Sequence, residues 1–207
     1  MLTCEPFPAR PGSQACGTPA VRPAEPSDYP AIRGVLEQAY AQYVPEIAPQ
    51  AWARFRADLL DLDRHARYGQ LLVAVVDADV AGYAAFYPDA SVQGLGWPPG
   101  WAGGRGLAVH PAHRGSGVAV ALMAALKLRA RASGAPVFAF HTSTFMTAAR
   151  ALYERLGYRR ASQFDLDLNN HYGIDGGLPW TALAYVTSLD AVRAASAHPG
   201  WRTEKAS

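Results

Sequence analysis

The sequence is poor in lysine, in cysteine and in long apolar segments, and each scarcity excludes a class of protein. Lys127 and Lys205 are the only lysines, the arginines are scattered, and the net charge is +2. This balance excludes the basic surfaces that bind nucleic acids or anionic membranes. No stretch approaches the roughly 18 apolar residues of a membrane-spanning helix, and the first residues lack the apolar core of a secretory signal. We therefore expect a cytoplasmic enzyme or binding domain.

The two cysteines, Cys4 and Cys16, both lie near the start of the chain. A disulfide framework would distribute cysteines through the fold, and a zinc site needs further ligands at short spacing. Neither pattern is present, so we expect no metal site. Because the first segment is rich in proline and glycine, residues 1–19 are expected to form a disordered tail. Residues 20–190 are expected to form one domain, followed by a second tail at 191–207.

Hydrophobic residues make up 50% of the sequence. They recur at the spacings that are typical of helices and of strands. The periods predict helices at residues 28–43, 49–67, 118–133 and 146–156. They predict strands at residues 20–22, 71–76, 80–87, 106–110, 137–141, 158–168 and 181–189, and a long loop at 88–104. Hairpins combined with strand-helix-strand units indicate an α/β fold with a mixed sheet.

A glycine-rich turn between the strand at 106–110 and the helix that follows is the most informative segment. Gly115 and Gly117 let the backbone turn tightly, and the first turn of the helix offers unpaired N–H groups to an anion. A P-loop would need Lys and Ser or Thr after the second glycine, where the sequence has Val-Ala. A dinucleotide fingerprint would need glycine at Val120. The alternative without a ligand is a glycine-rich helix entry and nothing more.

Two motifs resemble those of the GCN5-related N-acetyltransferase (GNAT) superfamily. Residues 114–119, Arg-Gly-Ser-Gly-Val-Ala, match its Q/R-x-x-G-x-G/A motif, and residues 148–158, AARALYERLGY, match A-x-x-L-Y-E-x-L-G-F/Y. The motifs stand in the family's order, and the resemblance spans residues 21–189. It implies the GNAT fold, with a mixed central sheet of about six to seven strands and about four flanking helices.

The resemblance also implies acetyl-CoA as cosubstrate, held in a V-shaped cleft between two parallel strands that splay apart. Those strands would be the ones ending at His110 and near His141. The main chain of Leu107, Ala108 and Val109 would bind the pantetheine arm. The N–H groups that would hold the pyrophosphate belong to Arg114, Gly115, Ser116, Gly117, Val118, Ala119 and Val120.

Three side chains acquire roles from the same resemblance. Tyr153 matches the family's general acid toward the departing CoA thiolate, although its spacing also fits an apolar helix stripe. Met146 stands where the family often has a cofactor-binding asparagine, and could pack against the pantetheine. His141 stands where several branches have a general base; the alternative is a strand-end histidine bonded to a neighbour.

The expected activity is transfer of an acetyl group from acetyl-CoA to a primary amine, on a small molecule rather than a peptide. A non-catalytic acyl-CoA sensor is the alternative. The sequence does not identify the amine or the preferred acyl chain. It also does not decide whether the protein forms a homodimer. Aromatic residues in or beside loops are candidates for lining the acceptor pocket: Trp52, Tyr87, Trp97, Trp101, Tyr172 and Trp180.

Overall fold

The computed structural model describes residues 17–175 and 178–189. Both cysteines, and most of the two expected tails, lie outside the described residues. The strands are β1 (Ala20–Pro23), β2 (Gln70–Val76), β3 (Asp79–Tyr87), β4 (Ala102–Val109), β5 (Val137–Ser143), β6 (Arg159–Arg160), β7 (Leu166–Asp167) and β8 (Thr181–Ser188). The helices are α1 (Tyr29–Tyr40), α2 (Pro49–Leu60), α3 (Leu62–Tyr68), α4 (Val118–Ala132), α5 (Thr147–Arg155) and α6 (Leu168–His171).

The strands form one sheet in the order β1-β2-β3-β4-β5-β8-β6, with β7 also paired to β8. Among the described strands, β4 and β5 form the parallel pair and the other pairs are antiparallel. The expected α/β fold with a mixed sheet is confirmed. The sheet has eight strands because the segment expected as one strand at 158–168 forms the short β6 and β7, separated by a 3-10 turn at Ser162–Phe164.

Two further segments differ from the sequence prediction. The helix expected at 49–67 is divided at Asp61, whose side chain accepts a hydrogen bond from the N–H of Arg64 and caps α3. The loop expected at 88–104 is shorter, because β4 already begins at Ala102. Glycine permits this early start, since a Cβ on Gly103 would lie 2.7 Å from the Cβ of Ala90. The close approach holds the loop against the sheet.

Helices cover both faces of the sheet, so the strands carry apolar residues on both sides. In β2, Leu72, Ala74 and Val76 pack in the cluster that includes the buried face of α4. Leu71 and Val73 pack in the opposite cluster, with residues of α1 and α2. This arrangement places the β4–β5 pair between two helical layers, and the candidate site opens there.

Candidate active site

A cleft opens where the two parallel strands diverge. Strands β4 and β5 are paired only at Ala102–Phe138 and Gly103–Ala139. Beyond that point the edge of β4 that faces β5 has no strand partner within the described residues. The space between the strands is a cleft of about 310 Å³, with Leu107, the residues that follow it on β4, and part of α5 on its walls.

A β-bulge in β4 contributes to the divergence. The β3–β4 register shifts by one residue between Tyr83 and Ala85, so β4 contains one extra residue. Gly106 lies in this extra stretch with φ of 67°, the left-handed backbone that is typical of a glycine bulge. A Cβ at Gly106 would also lie 3.2 Å from the Tyr83 ring. The bulge therefore bends β4 where glycine is favoured by both conformation and space.

The glycine-rich turn lies at the N-terminus of α4. Gly115 and Gly117 have φ of 81° and 85°, and Gly117 is the N-cap of the helix. The Ser116 hydroxyl donates a hydrogen bond to the carbonyl of His113 at 2.6 Å, which fixes the turn. In the described chain, the N–H groups of residues 115–117 have no backbone acceptor. Together with the first N–H groups of α4, they form a concave set of donors suited to a phosphate group.

The other residues expected to bind the cofactor lie around this turn with different exposures. Ala119 and Arg114 line the cleft, and the Arg114 guanidinium donates to the carbonyl of Ala39 at 3.4 Å. The Val118 side chain is buried in the core, whereas Val120 is exposed. Because these two valine side chains point away from the cleft or into the core, only their main chain is suited to bind a ligand.

Tyr153 lies on α5 and lines the cleft, with its side chain only 5% exposed. Its ring packs edge-on against Phe140, with centroids 4.5 Å apart. Burial raises the pKa of the Tyr153 hydroxyl above its usual value. Among the described residues, its hydroxyl has no hydrogen-bond partner. The tyrosine is thus held rigidly, protonated at neutral pH and available to a group in the cleft.

Met146 is the N-cap of α5 and lies at the junction of the cleft with a smaller neighbouring cavity. Its sulfur accepts a hydrogen bond from the Thr142 hydroxyl at 3.6 Å. The side chain is buried. It offers an apolar surface at the position where the family often has an asparagine.

His141 lies on β5 and lines both cavities. Its Nε2 lies 2.8 Å from the carbonyl of Phe164 and, because a carbonyl only accepts, carries the proton. Its ring stacks on Trp97 with centroids 4.2 Å apart. Burial lowers the pKa of His141 to about 4, so the ring is neutral at pH 7. Its Nδ1, buried and without a partner in the described chain, is left as an acceptor. The bond expected of a strand-end histidine is present, and it leaves the second nitrogen free.

The neighbouring cavity has a volume of about 80 Å³ and shares His141 and Arg105 with the cleft. Of the six expected aromatic residues, Tyr172 and Trp180 line this cavity. Trp52 packs behind it on Phe55. Trp97, Trp101 and Tyr87 do not line either space: the two tryptophans pack against Phe164, and Tyr87 contacts His65.

A group of side chains that the sequence analysis did not identify lies beside this cavity. The carboxylate of Asp58, on α2, accepts a hydrogen bond from the guanidinium group of Arg105 and forms an ion pair with that of Arg64. It also accepts one from the Tyr172 hydroxyl at 3.2 Å. Arg105 lies between two glycines in β4. The sequence offered one indication of its importance, which is a charged residue in a strand that otherwise consists of small and apolar residues.

His65 connects Asp58 to the sheet. Its Nε2 donates to the main-chain carbonyl of Asp58 at 2.9 Å, and its Nδ1 accepts from the Tyr87 hydroxyl at 2.5 Å. Burial lowers the pKa of His65 to about 3, so this histidine is neutral. The bonds fix the C-terminal part of α2 relative to β3 and thereby position the Asp58 carboxylate.

Two classes of feature are not found in the described part of the chain. No group of three or more His, Cys, Asp and Glu side chains is placed to hold a metal ion. Within residues 17–175 and 178–189, no helix is both long and apolar enough to cross a membrane.

The diverging parallel pair and the glycine turn before a helix are both present, as the resemblance to the GNAT superfamily implied. The model of the Acetyltransferase (GNAT) family matches residues 33–158, more than half of the chain. The protein belongs to this family.

Solved structures share the fold. An acetyltransferase of the GNAT family from Brucella melitensis, in complex with acetyl-CoA, is 26% identical, with 68% of this chain and 82% of that chain covered and a TM-score of 0.51. YncA from Salmonella typhimurium, with its cofactor acetyl-CoA, is 21% identical, with 86% and 98% covered and a TM-score of 0.58. A protein assigned to the GNAT acetyltransferases from Desulfovibrio desulfuricans is 24% identical, with 83% and 99% covered and a TM-score of 0.60. No curated protein matches the chain.

Proposed function

We propose that this acetyltransferase transfers the acetyl group of acetyl-CoA to a primary amine on a small molecule. The observation that carries the proposal is the divergence of β4 and β5 after Gly103 and Ala139. It opens a cleft that has free main-chain edges, a glycine turn at one end and Tyr153 on one wall.

The residues of the cleft fit acetyl-CoA. The free edge of β4, at Leu107, Ala108 and Val109, offers main-chain groups to the amides of the pantetheine arm. The unpaired N–H groups after Arg114 donate hydrogen bonds to the pyrophosphate, where the positive end of the α4 dipole adds to the attraction. The Arg114 guanidinium supplies a full positive charge at the same end of the cleft. Met146 contacts the apolar part of the arm.

Two side chains move protons during the transfer: one accepts a proton from the amine and the other donates a proton to the leaving thiolate. A neutral amine attacks the thioester carbon, the new C–N bond forms and the C–S bond breaks. As the nitrogen becomes acidic during attack, Nδ1 of His141 accepts its proton. Tyr153 donates its proton to the departing sulfur. The burial that raises the pKa of Tyr153 also raises the proton affinity of a thiolate beside it, because low-dielectric surroundings disfavour both anions.

The proposal is tested by the release of CoA thiol from acetyl-CoA with a panel of primary amines, in the native protein and in Tyr153→Phe. We expect release with one class of amine and a reduction of kcat by at least about 100-fold in the variant. Because the substitution removes one oxygen from a packed ring, the affinity for acetyl-CoA should not change. Leu156→Met, at the C-cap of the same helix, is a control that should keep full activity.

Two results would overturn parts of the proposal. Undiminished turnover in Tyr153→Phe would exclude the tyrosine as the acid. Absence of release with every amine, while acetyl-CoA still raises the melting temperature, would favour an acyl-CoA sensor over an enzyme.

A further inference from the structure

Among the described residues, the two adjoining cavities are lined by cationic side chains and by no carboxylate. In the described chain, Arg105 lines both the cleft and the smaller cavity, and Arg114 lines the cleft. Neither lining includes an aspartate or a glutamate. An amine that carries additional positive charges, such as a polyamine, would therefore meet repulsion rather than a partner.

The carboxylate of Asp58, beside the smaller cavity, is already occupied. Asp58 accepts hydrogen bonds from Arg105 and Tyr172 and pairs with Arg64, and it lines neither the cleft nor the smaller cavity. Arg64 is also paired with Asp61, at 3.8 Å, so within the described residues the positive charge that lines the smaller cavity is that of Arg105. His65, which bonds to the main chain of Asp58, does not add to this charge because its low pKa keeps it neutral.

Two side chains of the smaller cavity have polar atoms with no partner. The Nε of Arg105 is buried and unbonded in the described chain, as are both the nitrogen and the oxygen of the Gln93 amide. Both residues line the cavity. An unpaired buried donor costs free energy, and a ligand that accepts from it recovers that cost. An anionic acceptor oxygen would satisfy the guanidinium and the amide N–H together.

A large part of the remaining cavity wall is apolar. Phe55, Leu59, Leu168 and Trp180 contribute to it, and the ring of Phe55 packs edge-on against that of Trp180 with centroids 5.2 Å apart. A ligand that fills this space needs an apolar group beside its anionic one.

We infer that the acceptor is an α-amino acid with an apolar side chain, whose carboxylate is bound by Arg105 and Gln93. This inference rests on the proposed function. The α-amino group would then lie where the two cavities meet, beside His141, which lines both and whose buried Nδ1 has no partner in the described chain. The apolar side chain would occupy the wall that includes Phe55 and Trp180.

The experiment compares acceptors that differ only in the carboxylate. CoA release is measured with L-phenylalanine, L-phenylalaninamide and 2-phenylethylamine, and the melting temperature of the CoA-saturated protein is measured with each compound. We expect kcat/KM for L-phenylalanine to exceed that for the other two by at least about tenfold. We also expect L-phenylalanine alone to raise the melting temperature.

The assignment to Arg105 is tested with Arg105→Gln, and with Arg159→Gln as a control on the exposed edge strand β6. Arg105→Gln should reduce the preference for L-phenylalanine over 2-phenylethylamine by about tenfold, and Arg159→Gln should leave it unchanged. Because loss of Arg105 leaves Asp58 short of a partner, Gln93→Ala provides a second variant that does not disturb the ion pair. It should reduce the same preference.

The possible results separate the inference from the proposed function. Equal or faster release with 2-phenylethylamine or the amide would overturn the inference and leave the acetyltransferase activity standing. No release with any compound, but a rise in melting temperature with L-phenylalanine alone, would support the binding site and overturn the proposed transfer. If L-phenylalanine produced no release and no rise in melting temperature, the inference would be overturned. It would also be overturned if both variants kept the native preference for L-phenylalanine.

Discussion

The two ends of the cleft are built from different parts of the polypeptide. The proposed donor end consists of main chain: the free edge of β4, the turn at Gly115 and Gly117, and the first N–H groups of α4. The proposed acceptor end consists of side chains from distant segments, and Asp58 of α2, behind it, is bonded to Arg105 of β4 and to Tyr172 near α6.

This difference has consequences for how each end tolerates change. A binding surface of main-chain groups depends on backbone conformation, so it is sensitive at the glycines and tolerant elsewhere. A surface of paired charges and neutral histidines depends on the identity of each residue and on protonation. We therefore expect the two ends to fail under different perturbations, and the following predictions test that separation.

Acidification should weaken the protein mainly through the acceptor end. Burial lowers the pKa of His65 to about 3 and that of His141 to about 4. Between pH 6.5 and 4 the unfolded chain therefore binds more protons than the folded one, and stability falls as the pH falls. From pH 6.5 to 5 the loss is about 2 kcal/mol for each histidine. Urea denaturation followed by tryptophan fluorescence measures it.

The acid sensitivity can be assigned by substitution. His141→Asn removes one of the two titrations, so this variant should lose about half as much stability over the same pH range as the native protein. A free energy of unfolding that does not change between pH 6.5 and 5 in the native protein would contradict the neutral, buried state of both histidines.

Asp58→Asn should have the next largest effect, and at the acceptor end alone. It removes the charge that compensates Arg105 in a largely buried pair, with side chains 13% and 15% exposed. We expect a loss of about 2 kcal/mol in stability, between the values of exposed and buried pairs. The affinity for acetyl-CoA, measured by calorimetry, should be retained. Asp61→Asn is the control, because Asn caps a helix as well as Asp does; a similar loss there would count against the special role of Asp58.

Gly117→Ala should have the smallest effect, and at the donor end alone. A side chain at φ of 85° costs about 1 kcal/mol, and relief of that strain moves the N–H groups of the turn. We expect the affinity for acetyl-CoA to fall about fivefold. Gly134→Ala, at φ of 74° beyond the other end of α4, should cost similar stability without affecting acetyl-CoA. Equal loss of affinity in both variants would refute the role of the turn.

The same division explains what the sequence could predict. The donor end follows from consecutive residues: a strand, a turn with Gly115 and Gly117, and a helix that begins at Val118, all visible in the order of residue types. The mixed sheet was predictable because each strand and helix has its own hydrophobic period. The splitting at Asp61 was not predicted, because an aspartate within a helical period can be either interior or cap.

The acceptor end could not be assembled from the sequence, because its residues are brought together by the fold. Asp58 and Arg105 are 47 positions apart, and no periodicity relates them. His65 appeared as one more polar position on a helix, although its two hydrogen bonds fix Asp58 to the sheet. Trp97 and Trp101 were candidates for the pocket and pack instead against Phe164, because aromatic residues in a loop also serve to cover a sheet.

The most direct test of this account is a grid of initial rates of CoA release, with acetyl-CoA and L-phenylalanine varied together. The grid is measured for the native protein, for Gly117→Ala and for Arg105→Gln. The account predicts that Gly117→Ala raises KM for acetyl-CoA alone and that Arg105→Gln raises KM for L-phenylalanine alone. If either variant raises both constants to the same extent, the two ends of the cleft do not act separately and the account is contradicted.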